Sequence, residues 1–180
     1  MSLPESRKTN PELDTFLRVS CFTEEEAARL ARLGTIIKPQ LPALTDRFYE
    51  QLQKDATMQP YLEGRIDALK STHLAWLESL FTGNYDDAFI AQQEKIGFVH
   101  VKVKVPPLFV ASSMSFLRAE IPTILTDEHL NSLGESRAIC TGSILRVLDL
   151  SQFLIDGAYF KSIMDVMGIS KALLDRLMTL

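Results

Sequence analysis

Apolar residues recur three and four positions apart along nearly the whole of this chain, and that spacing is one face of a helix. Leu41, Leu44, Phe48 and Leu52 form one such stripe. Ile66, Leu69, His73, Trp76 or Leu77, and Leu80 form another. Period-2 alternation, the mark of a half-buried strand, occurs only in VHVKVKV, residues 99–105. A lone strand has no partner, so that run reads as a helix end entering an irregular corner at Pro106-Pro107. A chain patterned in this way folds as a helical bundle. Its 180 residues, 46% hydrophobic and 23% charged, suffice for one domain with a sizeable core and are too apolar for disorder.

Start and stop signals divide the pattern. Asn10 before Pro11 is an N-cap and first-turn pair, opening a helix through about Ser20. Thr23 with Glu26 reads as a capping box for EEEAARLARLGTII. Pro39 and Pro42 restart the chain, and the next helix ends near Asp55. The stripe from Ile66 stops at Thr82-Gly83-Asn84. A helix from about Asp86 presents Phe89, Gln93, Ile96, Gly97 and His100 on one face. Another runs from Pro107 to about Leu125, with Pro122 set to kink or end it. The longest runs from about Leu133 to Val166, a length that implies packing against a partner. Gly168-Ile169-Ser170 breaks it, with Ser170 positioned to cap KALLDRLM. Residues 1–168 therefore read as one domain and 169–180 as the start of a connector.

Several function classes fall away. The formal net charge of -4 makes nucleic acid a poor partner. Cys21 and Cys140 do not make a disulfide framework, which leaves a reducing compartment as the default. MSLPESRKTN lacks the apolar core of a signal peptide. The most apolar stretch is taken as VPPLFVASSMSFL, too short to span a bilayer, so a soluble cytoplasmic protein without a membrane span is expected. Phosphate-binding, dinucleotide-binding, nucleophile-elbow and zinc-protease motifs are all missing, and no carboxylate pair is marked for acid-base work. No catalytic residue is assigned and no enzymatic activity is expected of this chain.

Three histidines remain. His129, in TDEHLNS, reads as a solvated residue of a polar connection. His100 lies on an apolar helix face, where imidazole needs partners for its nitrogens. It is either a hydrogen-bonded core histidine or a metal ligand, and Gly97 one turn earlier would let a flat macrocycle approach the backbone.

The chain resembles the globin domain of bacterial globin-coupled sensors, a group related to protoglobins. The likeness is carried by DRFYEQL (residues 46–52), LKSTHLAWLESLFTG (69–83), YDDAFIAQQEKIGFVHVKVKVPP (85–107) and the long terminal helix. It spans roughly residues 10 to 165. The resemblance implies an all-α, globin-like fold of seven to eight helices with an extra N-terminal helix. It implies haem b, with His100 as the proximal iron ligand and Tyr49 as the distal hydroxyl. Leu69 and Thr72 would line the distal side, Thr72 as a second donor or a holder of water. Phe48, Ile96, Val101, Val105 and Phe109 would be apolar haem contacts. Tyr49 also borders the Leu41-Leu44-Phe48-Leu52 stripe, which allows either an inward ring or a half-exposed cover of the core edge.

The implied function is reversible binding of O2, CO or NO. A hydroxyl donor in an apolar pocket favours O2, which acquires negative charge, over CO, which acquires little. The resemblance further implies a homodimer built from the last two long helices and a C-terminal output domain such as a diguanylate cyclase, with the chain's own end reading as a connector. Two positions depart from the family pattern. PPLFV carries Phe109 but places Val110 where a second aromatic is usual. His73 stands on an apolar stripe where an aliphatic residue is expected, as a satisfied core histidine, a distal-side or propionate-side group, or a sixth axial ligand. Two other classes compete: a haem-free regulatory or dimerisation module of the same fold, and a haem enzyme consuming nitric oxide.

Overall fold

The structure is a computed structural model that describes residues 3–178. A 3-10 turn (Glu5–Lys8) leads into α1 (Pro11–Val19) and α2 (Glu24–Ile37). There follow α3 (Leu41–Gln53), the single-turn α4 (Gln59–Leu62), α5 (Ile66–Ser79) and α6 (Asp87–Lys102). The chain closes with α7 (Pro107–Glu120), α8 (Asp127–Leu133), α9 (Arg137–Met167) and α10 (Lys171–Met178). The architecture is all-α, and no strand occurs among the described residues.

Local chemistry sets the helix starts. Asn10 Oδ1 accepts the Leu13 N–H at 3.1 Å, Thr23 Oγ1 the Glu26 N–H at 3.3 Å, and Asp86 Oδ1 the Phe89 N–H at 3.0 Å. Each cap satisfies an N–H that a helix start otherwise leaves without a partner. The 99–105 run ends α6 at Lys102 and turns through Lys104, which adopts a left-handed φ of 59°. After α7 stops at Glu120, Pro122 sits in a 3-10 turn (Ile121–Ile124).

The long helix starts at Arg137 rather than near Leu133. Thr126 and His129 cap each other and begin α8, which Gly134 closes at a φ of 64°. Ser136 Oγ then caps α9 through the Ile139 N–H at 3.3 Å. His129 is thus a half-buried helix-start residue and not part of an irregular connection. Gly168 ends α9 at a φ of 66°, and Ser170 Oγ accepts the Leu173 N–H at 3.2 Å.

α9 is also the most apolar long stretch, which corrects the choice of residues 105–117. It is long and apolar enough to cross a membrane by composition, and 50% of that window is buried inside the protein. Its buried side chains include Cys140, Ile144, Val147, Leu148, Leu154 and Ile155, so α9 serves here as the central helix of the bundle. α6 packs against it. A Cβ at Gly97 would lie 2.5 Å from the Ile155 carbonyl oxygen and 2.6 Å from Ala158 Cβ. The small residue therefore lets α6 meet α9, and it does not open the way for a macrocycle, as its position on the His100 face had implied.

The core is split. The main cluster runs from Leu13 and Leu30 through Leu77, Phe81 and Tyr85 to Ile144 and Leu154. A second, smaller cluster gathers Phe48, Tyr49, Met58 and Leu62, with Leu52, Ile66, Leu69, Phe109 and Phe116 against it. At the far end of the bundle, Arg29 is 7% exposed and bonds Glu26 at 2.6 Å and Glu135 at 3.1 Å, tying α2 to the segment before α9.

Candidate functional site

A cavity of about 230 Å³ lies at the seam between the two clusters. Phe48, Tyr49, Met58, Leu62 and Leu69 wall it on one side. Trp76, Met114, Leu117 and Ile155 wall it on the other. Tyr61, Leu69, His100, Val105 and Phe109 are half-buried and Thr72 is exposed, so the lining reaches the surface. A mostly apolar concavity with a few convergent polar groups is the usual form of a small-molecule or cofactor site.

Eight of the nine residues that the resemblance assigns to the haem site line this cavity: Phe48, Tyr49, Leu69, Thr72, Ile96, His100, Val105 and Phe109, and so does His73. Val101 does not line it. One residue beyond His100 is a rotation of roughly 100° around the helix, and Val101 packs on the main core instead. Thr72 Oγ1 donates to the Ala68 carbonyl at 2.9 Å, so its proton is spent within its own helix. With that bond made it can accept from a water or ligand, the water-holding one of the two roles the resemblance implies.

His100 is held in one tautomer at the cavity wall. Its Nδ1 lies 2.7 Å from the Ile96 carbonyl oxygen. A carbonyl only accepts, so Nδ1 carries the proton and Nε2 keeps its lone pair. That bond to the preceding turn fixes both tautomer and ring orientation, as it does for metal-bound histidines. The backbone after His100 is tied down as well. The Val105 N–H donates to the His100 carbonyl at 2.9 Å. The Tyr61 hydroxyl donates to the Lys104 carbonyl at 3.2 Å, and the Tyr159 hydroxyl of α9 to the Val105 carbonyl at 2.8 Å.

Tyr49, which also lines the cavity, is 6% exposed, and burial pushes its phenol up to about 12. It stays a neutral donor at any physiological pH, and no other described residue hydrogen-bonds its hydroxyl. His73 stacks on Phe48 with ring centres 4.6 Å apart and meets Tyr49 edge-on at 5.7 Å. Its Nδ1 is 3.4 Å from Thr45 Oγ1, and its buried Nε2 has no protein partner. Trp76, on α5 beside His73, donates its indole N–H to Gln93 of α6 at 2.9 Å, and Ser151 of α9 donates to the same oxygen at 2.6 Å. Three elements around the cavity are thereby joined by one buried polar group.

Sequence reasoning missed Tyr61 and Leu62, which belong to the single turn α4, and Met58, which precedes it. Four residues are too few to show periodicity, and the only cue was the apolar pair Tyr61-Leu62 amid polar neighbours.

Burial, with no compensating charge, pushes His73 down to about 4. The unfolded ring titrates near 6.5, so between these values the unfolded chain binds more protons than the folded one. The stabilisation is complete above about pH 6.5 and is lost as the pH falls toward about 4, at most roughly 3 kcal/mol. Urea unfolding of the apoprotein across that window is expected to show the loss. In His73→Leu that contribution should vanish, and an unchanged pH slope would contradict the burial account.

The fold and the pocket define a helical globin-type domain with one histidine-bearing cavity. Residues 9–164 match the Protoglobin family model, and the chain belongs to the Protoglobin family. Among solved structures it is similar to the globin domain of a Geobacter sulfurreducens globin-coupled sensor. The likeness has 25% sequence identity and a TM-score of 0.71, over 81% of this chain and 96% of that one.

Proposed function

We propose that residues 1–168 form a haem-binding gas-sensor domain and that residues 169–180 begin a connector toward an output domain. The observation that carries this reading is His100. It is a histidine at the wall of an apolar cavity, its Nδ1–H held by the Ile96 carbonyl, with the Nε2 lone pair left for a metal. The orphaned Nε2 of His73 and the unengaged Tyr49 hydroxyl fit the same group, because both leave hydrogen-bonding capacity for a guest. Haem b, when bound, supplies reversible coordination of O2, CO or NO. His100 would hold the iron, with Phe48, Leu69, Ile96, Val105 and Phe109 as apolar walls that exclude water. Tyr49 would donate to the bound gas.

The likeness to a globin-coupled sensor domain supports a signalling role over an enzymatic one for this chain. A sensor needs a route from the pocket to its exterior. Here the His100 corner is tied to α9 through Tyr159, and α6 meets α9 at Gly97. Beyond that point α9 exposes Phe160 at 51%, Ile163 at 47% and Met167 at 63%, one apolar face at helical spacing. We assign that face to a two-fold homodimer of the last long helices, whose rearrangement would reach an output domain such as a diguanylate cyclase.

The test is reconstitution of the chain with haem, followed by ligand kinetics beside Tyr49→Phe. The parent is expected to bind both O2 and CO in the ferrous state. Tyr49→Phe is expected to release O2 about five- to tenfold faster, the loss of a hydrogen bond of about 1 kcal/mol or slightly more, with CO release little changed. Equal O2 release in parent and variant would remove Tyr49 from the mechanism.

A further inference from the structure

We propose that His73 is a second hydrogen-bond donor to the gas, presenting Nε2–H to the cavity from the same wall as Tyr49, and that it is not an iron ligand. This role rests on the haem-pocket reading above. The argument starts at Thr45, whose side chain is 3% exposed. Among the described residues the only hydrogen-bond partner of its hydroxyl is His73 Nδ1, at 3.4 Å. A buried hydroxyl proton needs an acceptor, and the one available is the Nδ1 lone pair. Nδ1 is then bare and the ring proton resides on Nε2. The opposite tautomer would strand the Thr45 proton in the core.

Nε2–H is itself buried, lies on a cavity-lining residue and has no protein partner. The ring cannot turn freely to find one. Phe48 stacks on its face at an interplanar angle of 10°, and Tyr49 and Trp76 flank it. Burial keeps it neutral near pH 7. The wall thus holds two neutral donors, Tyr49 O–H and His73 Nε2–H, in an apolar enclosure. Such a pair favours a diatomic ligand that acquires negative charge, such as O2, over CO. It also separates the two histidines by chemistry. His100 keeps its lone pair on Nε2 because its Nδ1 donates to a carbonyl, whereas His73 keeps a proton on Nε2 because its Nδ1 accepts from a hydroxyl.

The test has one arm without haem and one with it. In the apoprotein at neutral pH, nitrogen-15 shifts of His73 are expected to report the Nε2–H tautomer, and Thr45→Val is expected to weaken that preference. In the reconstituted chain, the ferrous gas-free spectrum is expected to be five-coordinate in both parent and His73→Leu. O2 release should be about five- to tenfold faster in His73→Leu, with CO release little altered. His73→Gln keeps an N–H donor on a similar reach and should recover much of the slow O2 release, which a purely structural role would not predict. A six-coordinate low-spin ferrous spectrum in the parent, lost in His73→Leu, would overturn the donor role in favour of axial ligation. An Nδ1–H tautomer, or O2 release equal in parent and both variants, would overturn it as well. Failure of the parent to develop a haem absorption band would overturn the haem reading itself, and this role with it.

Discussion

Truncating His100 to alanine is expected to abolish stoichiometric haem retention while leaving the fold intact. His100 is half-buried at the end of α6, and its ring meets another element only through Tyr159 of α9, with ring centres 6.4 Å apart. The apoprotein melting temperature should therefore move by only a few degrees. Haem affinity should fall by more than about 100-fold, since outer groups that merely orient a metal ligand already contribute 10- to 100-fold. Added imidazole should restore binding by filling the space the side chain vacates. The checks are haem transfer to an acceptor protein and the same assay with imidazole present. Haem held as tightly by His100→Ala as by the parent would mean that another residue holds the iron.

The second large effect concerns stability. Arg29→Ala is expected to lower the melting temperature of the apoprotein by roughly 6–12 °C. Removing the guanidinium strands Glu26 and Glu135, whose side chains are 12% and 15% exposed. Breaking a buried pair from one side costs about 3–5 kcal/mol. The low end applies here, because Arg146 still reaches Glu26 at 3.2 Å and Arg32 still reaches Glu135 at 2.7 Å. About 3 kcal/mol corresponds to the stated shift for a chain of this size. Scanning calorimetry of parent and variant in one buffer measures it. A shift under about 2 °C would show that Arg32 and Arg146 fully replace Arg29.

What was legible in the sequence was local. The caps at Asn10 and Thr23 act within three residues of themselves, so residue type and position suffice to read them. The 3-and-4 stripes mark which faces are buried, and the all-α architecture follows from their number. What a stripe does not tell is which partner the face meets. Gly97 and His100 share a face, yet Gly97 meets α9 and His100 meets the cavity. Val101, adjacent in sequence, turns to the main core. The surroundings of His73 were unreadable for the same reason: Thr45, whose hydroxyl lies 3.4 Å from its Nδ1, is 28 residues away on another helix. The start of α9 was misplaced because Gly134 was not weighed as a left-handed helix terminator, although the Ser136 cap followed it.

The central claim is that this cavity takes one haem. Trp76 lines the cavity and is the only tryptophan in the chain, so its emission reports that site alone. Titrating the apoprotein with haem is expected to quench Trp76 fluorescence linearly to one equivalent, with the haem absorption band growing to the same endpoint. Absorbance that climbs past one equivalent with no break, while Trp76 emission stays unquenched, would place the haem elsewhere and contradict the account.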